Sequence, residues 1–189
     1  MSKPITITKV RTILTSPERI PLVVVKIETS EPGLYGLGCA TFTQRYLAVA
    51  TAIDEYLAPF LVGRDVSQIE DIWQTCMTSA YWRNGPITNN AVSGIDMALW
   101  DIKGKVAGMP VYDLLGGKTR EAAAVYRHAD GRDPQEVLEN VIKYQESGAL
   151  AVRCQMGGYG GRIQDITKQN SVHAKAARRF FIRTPTSAV

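Results

Sequence analysis

Polar side chains that could bind a small molecule stand at the ends of two predicted strands in the second half of the chain. His128 follows the strand-like segment AAAVYR (122–127), and Arg153 and Gln155 close the segment LAVRCQ (150–155). Because barrel sites form at the carboxyl ends of strands, His128 is a candidate binding residue if the strands belong to a barrel. A single histidine is also common in a purely structural role, and that alternative stays open for His128.

The residues between the two strands predict the element that holds them together. Asp133 and Pro134 are typical of a helix start, the helical pattern runs to Ser147, and Gly148 is a candidate C-cap. A strand, a helix and a strand in succession over about 30 residues indicate a βαβ unit of a parallel sheet or barrel.

The three cysteines do not follow a metal-binding or disulfide pattern. Cys39, Cys76 and Cys154 are odd in number, far apart and without CxxC spacing, which argues against a zinc site and a disulfide framework. We expect all three to be reduced, small core residues.

The first third of the chain predicts an antiparallel sheet. The segments 5–15 and 20–29 are rich in β-branched residues, and a third short strand is expected at 35–41. Gly36 and Gly38 in that strand would let another backbone approach closely.

Helices follow the sheet. From Thr43 the apolar residues recur at helical spacing, and a second helix is expected from Asp65, a candidate N-cap, toward Tyr81. The loop YWRNGP (81–86) has two open interpretations, a packed helix connector or a binding loop. The members of the first apolar pattern are Tyr46, Leu47, Val49, Ala50, Ile53, Leu57 and Phe60.

A long helix is predicted next, ended by Pro110 and followed by a helical turn with Gly116 and Gly117 as its cap. Asp101 and Lys105 form an i,i+4 acid–base pair on it, whereas Asp96 lies outside the apolar stripe. Small residues at 91, 93, 94 and 98 would let another element pack close. The stripe consists of Ala91, Val92, Ile95, Ala98, Leu99, Ile102 and Val106.

The net positive charge of the chain comes from its last 28 residues. Residues 1–161 hold 16 Lys and Arg against 17 Asp and Glu, whereas 162–189 hold six against one. A general basic surface for nucleic acid is therefore not supported.

No apolar run reaches the roughly 18 residues of a membrane span, and the start of the chain has no hydrophobic signal segment, so we expect a cytoplasmic protein without membrane contact.

The ordered motif GIDMALWDIKGK (94–105), followed by GMP (108–110) and LLGG (114–117), resembles the mandelate racemase/muconate lactonizing branch of the enolase superfamily. The resemblance implies an α+β capping domain, with a three-stranded antiparallel sheet and a helical bundle, followed by the start of a truncated (β/α) barrel. The expected domains are the capping domain at 1–115, the first βαβ unit at 116–161 and an unrecognised basic tail at 162–189.

Further segments narrow the resemblance to sugar-acid dehydratases of the mannonate dehydratase type, including the proteins named starvation-sensing. The resemblance implies the N-terminal portion of a magnesium-dependent carbon–oxygen lyase acting on mannonate or gluconate. In that family the metal binds the substrate carboxylate, a base removes the neighbouring proton, and water is lost. The segments are GLGCATFTQR (36–45), YWRNGP (81–86), YRH (126–128) and VRCQMG (152–157).

The same resemblance implies roles for individual residues. Arg153 matches an arginine that assists a tyrosine base, and because a guanidinium stays charged, Tyr159 is the nearest candidate for the base itself. His128 matches a substrate-binding histidine, and Gln155 is assigned to substrate binding beside Arg153. Thr43 lies in the capping loop, where mannonate dehydratases proper have an asparagine.

The metal ligands of the family are carboxylates on the third, fourth and fifth barrel strands, and no segment here matches them. We therefore expect this chain to bind no magnesium and to be inactive alone, although the parent enzymes act on small acid sugars and form homo-oligomers. The alternative function is a non-catalytic remnant, or a regulatory or interaction protein of the starvation-sensing type. The tail at 162–189 predicts disorder or an irregular helix rather than barrel structure.

Overall fold

Two compact units make up the chain in a computed structural model, Met1–Thr119 and Arg120–Val189. The structure describes residues 3–156 and 180–183. The domain boundaries expected from the sequence stay a prediction.

An antiparallel sheet forms one layer of the first unit, with strand order β1-β2-β3 as predicted. Its β-branched residues alternate between core and solvent, and Val23, Val25 and Ile27 are fully buried. A 3-10 turn at Pro17–Arg19 joins the first two strands. The strands are β1 (Ile7–Thr15), β2 (Leu22–Thr29) and β3 (Tyr35–Cys39).

Helices form the second layer of this unit. Two residues of the predicted apolar stripes lie on these helices but are not buried in the core. Leu47 and Val106 are more than half exposed, because the buried stripe on each helix is narrower than the run of apolar residues. A π-helical segment at Ala52–Leu57 joins the first two helices. The helices are α1 (Tyr46–Thr51), α2 (Ala58–Leu61), α3 (Ile69–Thr78), α4 (Pro86–Ala107) and α5 (Val111–Leu114).

Asp65 does not cap a helix, contrary to the prediction. Its side chain accepts a hydrogen bond from the backbone N–H of Ser67 at 2.8 Å, and α3 begins four residues after it, with Gln68 at the N-cap position. The aspartate therefore stabilises the turn before the helix.

The end of α4 is set by Gly108 and not by Pro110. Gly108 adopts a left-handed conformation with φ of 63°, and the N–H of Met109 donates to the carbonyl of Gly104 at 2.9 Å. This is the glycine C-cap geometry, which only a residue without a Cβ adopts at low cost. Pro110 instead occupies the N-cap position of α5.

The contact between α4 and β3 depends on the absence of side chains. A Cβ added to Gly36 or Gly38 would overlap a backbone carbonyl oxygen of α4, that of Ala98 or Gly94 respectively. Gly94 is similarly restricted, since its added Cβ would lie 2.6 Å from the Cβ of Ala40. The close approach predicted from the two strand glycines is confirmed.

Polar groups of α4 also satisfy the open edge of β3. The side chain of Asp101 accepts a hydrogen bond from the N–H of Leu37 at 2.8 Å, and Lys105 donates to the carbonyl of Tyr35 at 2.7 Å. The two side chains pair with each other at 2.7 Å, as their i,i+4 spacing predicts. The pair therefore occupies the place of a neighbouring strand.

The second unit contains the predicted βαβ arrangement with different strand limits. Strands β4 and β5 are parallel, but β4 begins where the predicted strand 122–127 ended, so that interpretation of the Ala-rich segment was wrong. Part of the tail forms a strand, β6, antiparallel to β5, where disorder or helix had been expected. The elements are β4 (Arg127–Gly131), α6 (Pro134–Glu146), β5 (Ala151–Met156) and β6 (Phe180–Arg183).

The cysteines are all free, but only Cys76 is a buried core residue. Its burial raises the pKa of the thiol to about 11. Cys39 is exposed and Cys154 is intermediate, so the expectation of three core cysteines was wrong for Cys39.

Within the described ranges, no helix has the length and apolar character needed to cross a membrane.

Candidate functional site

The two faces of the β4–β5 pair differ sharply in chemistry. On one face, Ala129 and Val152 are fully buried against Val137 and Val141 of α6. Because side chains alternate along a strand, the neighbours of these buried residues lie on the face that α6 does not cover. This face, called the uncovered face because α6 does not lie on it, carries the candidate site.

Histidine and arginine lie side by side on the uncovered face. His128 and Arg153 are partners in the parallel register of β4 and β5, and partners in a sheet project to the same side. The next pair along the strands toward their carboxyl ends is Asp130 with Gln155. On this face, the pair of His128 and Arg153 is therefore followed, toward the carboxyl ends of the strands, by the acidic residue Asp130.

Tyr126 adds an aromatic ring to this face, just before the amino-terminal end of β4. Tyr126 stacks on the imidazole of His128, with ring centroids 5.1 Å apart and an angle of 15° between the planes. Tyr126, His128 and Asp130 follow one another at a spacing of two. Their side chains therefore share one side of the chain.

Asp130 is a candidate site residue that sequence reasoning missed. It lies on the same side of β4 as His128, one pleat nearer the carboxyl end, where strand-end sites form. The period of two from His128 was the signal that could have identified it. The Asp-Gly pair at 130–131 is more typical of a turn, which concealed the strand.

Helix α6 holds the carboxyl end of β4 in place. The side-chain amide of Asn140 donates to the carbonyl of Asp130 at 2.7 Å. Gly131 lies so close to α6 that an added Cβ would be 2.7 Å from the backbone nitrogen of Val137. The candidate site is therefore positioned by the helix behind it.

The start of α6 is fixed as the sequence predicts. The Asp133 side chain accepts a hydrogen bond from the N–H of Glu136 at 2.9 Å, a standard N-cap. The carboxylate of Glu136 in turn accepts from the backbone N–H of Arg132 at 2.9 Å and from its guanidinium. These bonds, the backbone one first, lower the pKa of Glu136.

The structure brings two of the predicted site residues together. His128 and Arg153 are adjacent in the second unit, whereas Thr43 lies in a 3-10 turn at Thr43–Arg45 of the first unit. Gln155 belongs to β5, but its side chain lies outside the described residues, and so does Tyr159. The roles assigned to these five residues stay predictions.

The loop before α4 is not a packed connector within the described residues. Tyr81 and Trp82 are 88% and 84% exposed, and their rings meet edge to face at 5.1 Å. Asn84 and Gly85 have positive φ values of 70° and 106°, which produces the sharp turn into α4. A binding-loop role stays a prediction.

The described residues do not fit a magnesium site. Across residues 3–156 and 180–183, no three His, Cys, Asp or Glu side chains lie close enough together to hold a metal ion. Among the described residues, Asp130 is therefore not part of a three-ligand cluster, whereas magnesium sites combine several oxygen ligands.

Comparison with known proteins places these features in a family. A D-galactonate dehydratase family member of Salmonella virchow is 67% identical over 162 residues, covering 86% of this chain and 39% of that protein. One from Enterocloster bolteae is 60% identical over 173 residues, covering 92% of this chain and 43% of its own length. An enolase from Pantoea ananatis, whose crystal structure contains bound D-gluconate and magnesium, is 66% identical with a TM-score of 0.75, covering 83% of this chain and 38% of that one.

The chain spans about two fifths of the length of these curated relatives. The family model described as the N-terminal domain of mandelate racemase/muconate lactonizing enzyme matches residues 1–116, which include the sheet and the glycine-mediated contact with α4. The chain belongs to the mandelate racemase/muconate lactonizing enzyme family of the enolase superfamily, through the N-terminal domain of that family.

Proposed function

We propose that this chain is the N-terminal portion of a magnesium-dependent acid-sugar dehydratase, of the mannonate or gluconate type. The observation that carries the proposal is the adjacent pair of His128 and Arg153 on the uncovered face of β4 and β5. It is supported by the similarity to an enolase that holds D-gluconate and magnesium.

The side chains of the uncovered face suit a ligand with one carboxylate and several hydroxyl groups. The guanidinium of Arg153 is always charged, so it attracts an anion and can donate two parallel hydrogen bonds. His128 offers a further ring donor or acceptor, and Asp130 offers an acceptor for hydroxyl groups. The proposed task of these residues is to bind and orient the acid sugar.

The remaining roles in the proposal follow from the family resemblance. Arg153 assists proton removal by a tyrosine, for which Tyr159 is the candidate in this chain. Gln155 and Thr43 contact the substrate. The proposal also includes a cytoplasmic location and a homo-oligomeric parent enzyme.

Binding of D-gluconate to the full chain tests the proposal with a matched pair of arginine variants. Arg153 lies on the uncovered face, whereas Arg127 lies on the α6 side, with its guanidinium 6.0 Å from the ring centre of Tyr144. We expect Arg153→Gln to weaken the affinity by about tenfold or more, the contribution of a charged hydrogen bond. Arg127→Gln is expected to leave it within about twofold.

Isothermal titration calorimetry measures both affinities under one set of conditions. Equal losses in the two variants would indicate non-specific attraction of the anion and contradict the proposed site. A wild-type titration without saturation would contradict binding by this chain altogether.

A non-catalytic role is the second candidate, and it is favoured by the lack of a three-ligand metal cluster in the described parts of the chain. We expect the purified chain to produce no dehydrated product from mannonate or gluconate, with or without magnesium. Turnover above a metal-free control would make the chain an enzyme in its own right and reject this candidate.

A further inference from the structure

The stacked pair of Tyr126 and His128 lies outside the described apolar core of the second unit. The described core of that unit is formed by Ala129, Val137, Val141 and Val152. Tyr126 is 47% exposed and lies on the opposite side of the strand from this core. Its ring meets the imidazole at 5.1 Å with nearly parallel planes.

Stacking matters because of the torsional freedom of an exposed histidine. Rotation about the bond to the imidazole ring is broad and roughly twofold, so a solvated ring presents its two nitrogens in several directions. A neighbouring ring held parallel to it favours one plane for the imidazole. The plane determines where the ring nitrogens of His128 point.

We propose that Tyr126 is a positioning residue, which holds the His128 imidazole in the plane in which its ring nitrogen meets the ligand. The ligand class rests on the proposed function, an acid sugar, but the positioning itself rests on the stacking of the two rings. Tyr126 thus acts through His128, and its own hydroxyl group is not required.

The first experiment measures the position of the imidazole without any ligand. The chain has only two histidines, His128 and His173, so the variant His128→Asn assigns the ring-proton signals in an NMR spectrum. A parallel tyrosine ring shifts the His128 ring protons upfield. We expect Tyr126→Leu to abolish this shift and Tyr126→Phe, which keeps the ring, to retain it.

The second experiment measures whether the positioning affects binding of D-gluconate. We expect Tyr126→Leu to weaken the affinity by about 2- to 12-fold, the range that corresponds to the measured strength of aromatic pairs. Tyr126→Phe should remain within about twofold of the wild type. In the His128→Asn background, Tyr126→Leu should produce no further loss, because the ring it positions is gone.

The outcomes separate this inference from the proposed function. Unchanged His128 signals in Tyr126→Leu would overturn the positioning role, whatever the chain binds. An equal loss of affinity from Tyr126→Leu with and without His128 would also overturn it. A lost ring shift together with a flat gluconate titration would support the positioning of the ring and reject the acid-sugar function.

Discussion

Two aspartates on α4 illustrate how position decides the contribution of a single residue type. Asp101 lies at the edge of β3, where it accepts the N–H of Leu37 and pairs with Lys105. Asp96, five positions earlier, is partly buried, and that burial, together with the charge of Glu70, raises its pKa. The first carboxylate stabilises the fold, and the second destabilises it when ionised.

Replacing Asp96 should therefore stabilise the protein. A raised native pKa means that the native state holds the proton more tightly than the unfolded chain, so stability falls as pH rises from the ordinary value of 3.8 through the native pKa. Asp96→Asn removes this cost, and we expect the free energy of unfolding at neutral pH to rise by up to about 1 kcal/mol, after allowance for solvent screening. Urea denaturation of both proteins across this pH interval measures the difference, and equal pH dependence in the two would contradict it.

The same substitution at Asp101 should have the opposite sign. Asp101→Asn weakens the bond to the Leu37 N–H and removes the ion pair with Lys105. We expect a loss of about 1 to 2 kcal/mol at neutral pH, because a charged acceptor becomes neutral at a sheet edge. Denaturation under identical conditions measures it, and a loss smaller than that of an exposed substitution such as Lys9→Ala would show that the edge contact is not needed.

Sequence reasoning at this scale succeeds where the partner is close in the chain. The pair of Asp101 and Lys105 follows from helical spacing alone, and so does the cap formed by Asp133. Asp130 was missed because the Asp-Gly pair at 130–131 is more typical of a turn, and its other neighbour, Arg153, comes close only after β4 and β5 pair. Asp65 was misassigned because an aspartate stabilises a turn and a helix start through similar bonds.

At the scale of elements, the contact between β3 and α4 is the one most sensitive to added volume. Gly38 faces the carbonyl of Gly94, and the three atoms nearest to a Cβ added at Gly38 all belong to the backbone of α4. Gly38→Ala should therefore force the helix away from the sheet and cost about 1 to 3 kcal/mol or more. The midpoint of urea denaturation measures this.

Leu37 provides the control for that substitution, because it adjoins Gly38 and is 43% exposed. Leu37→Ala should change the free energy of unfolding by much less than Gly38→Ala, since it removes atoms from a partly solvated face. If both variants had the same midpoint, the close approach of α4 would not limit the size of residue 38.

Element limits were harder to predict than element types. The Ala-rich segment before β4 has no alternation, whereas β4 itself contains polar residues on one face and an Asp-Gly pair, so the strand was placed too early. Its strand character comes from pairing with β5 and cover from α6, which are tertiary effects. The strand β6 likewise depends on pairing with β5, because the run of strand-forming residues from Phe180 to Ile182 is too short to indicate a strand by itself.

At the scale of the whole molecule, the two units have very different cores. Among the described residues, the core of the first unit contains 22 buried residues and that of the second contains four. On α6 of the second unit, Leu138 and Ile142 remain about half exposed at i,i+4 spacing. Because stability depends on buried apolar area, the described part of the second unit should be much less stable than the first unit.

Unfolding should therefore begin in the second unit. Native-state hydrogen exchange is expected to show amides of β4 and β5 exchanging through opening of lower free energy than those of β2 and α4. A matched pair of substitutions tests the assignment, Val137→Ala in the small core and Val92→Ala in the large one, which remove the same two methyl groups from similarly buried sites. Val137→Ala should expose the β4 and β5 amides while leaving α4 protected, and Val92→Ala should lower the protection of α4 by about 1 to 3 kcal/mol. If Val137→Ala instead lowered the protection of α4 by the same amount as that of β4, the chain would unfold as a single cooperative body, and the small core would be stabilised by the large one.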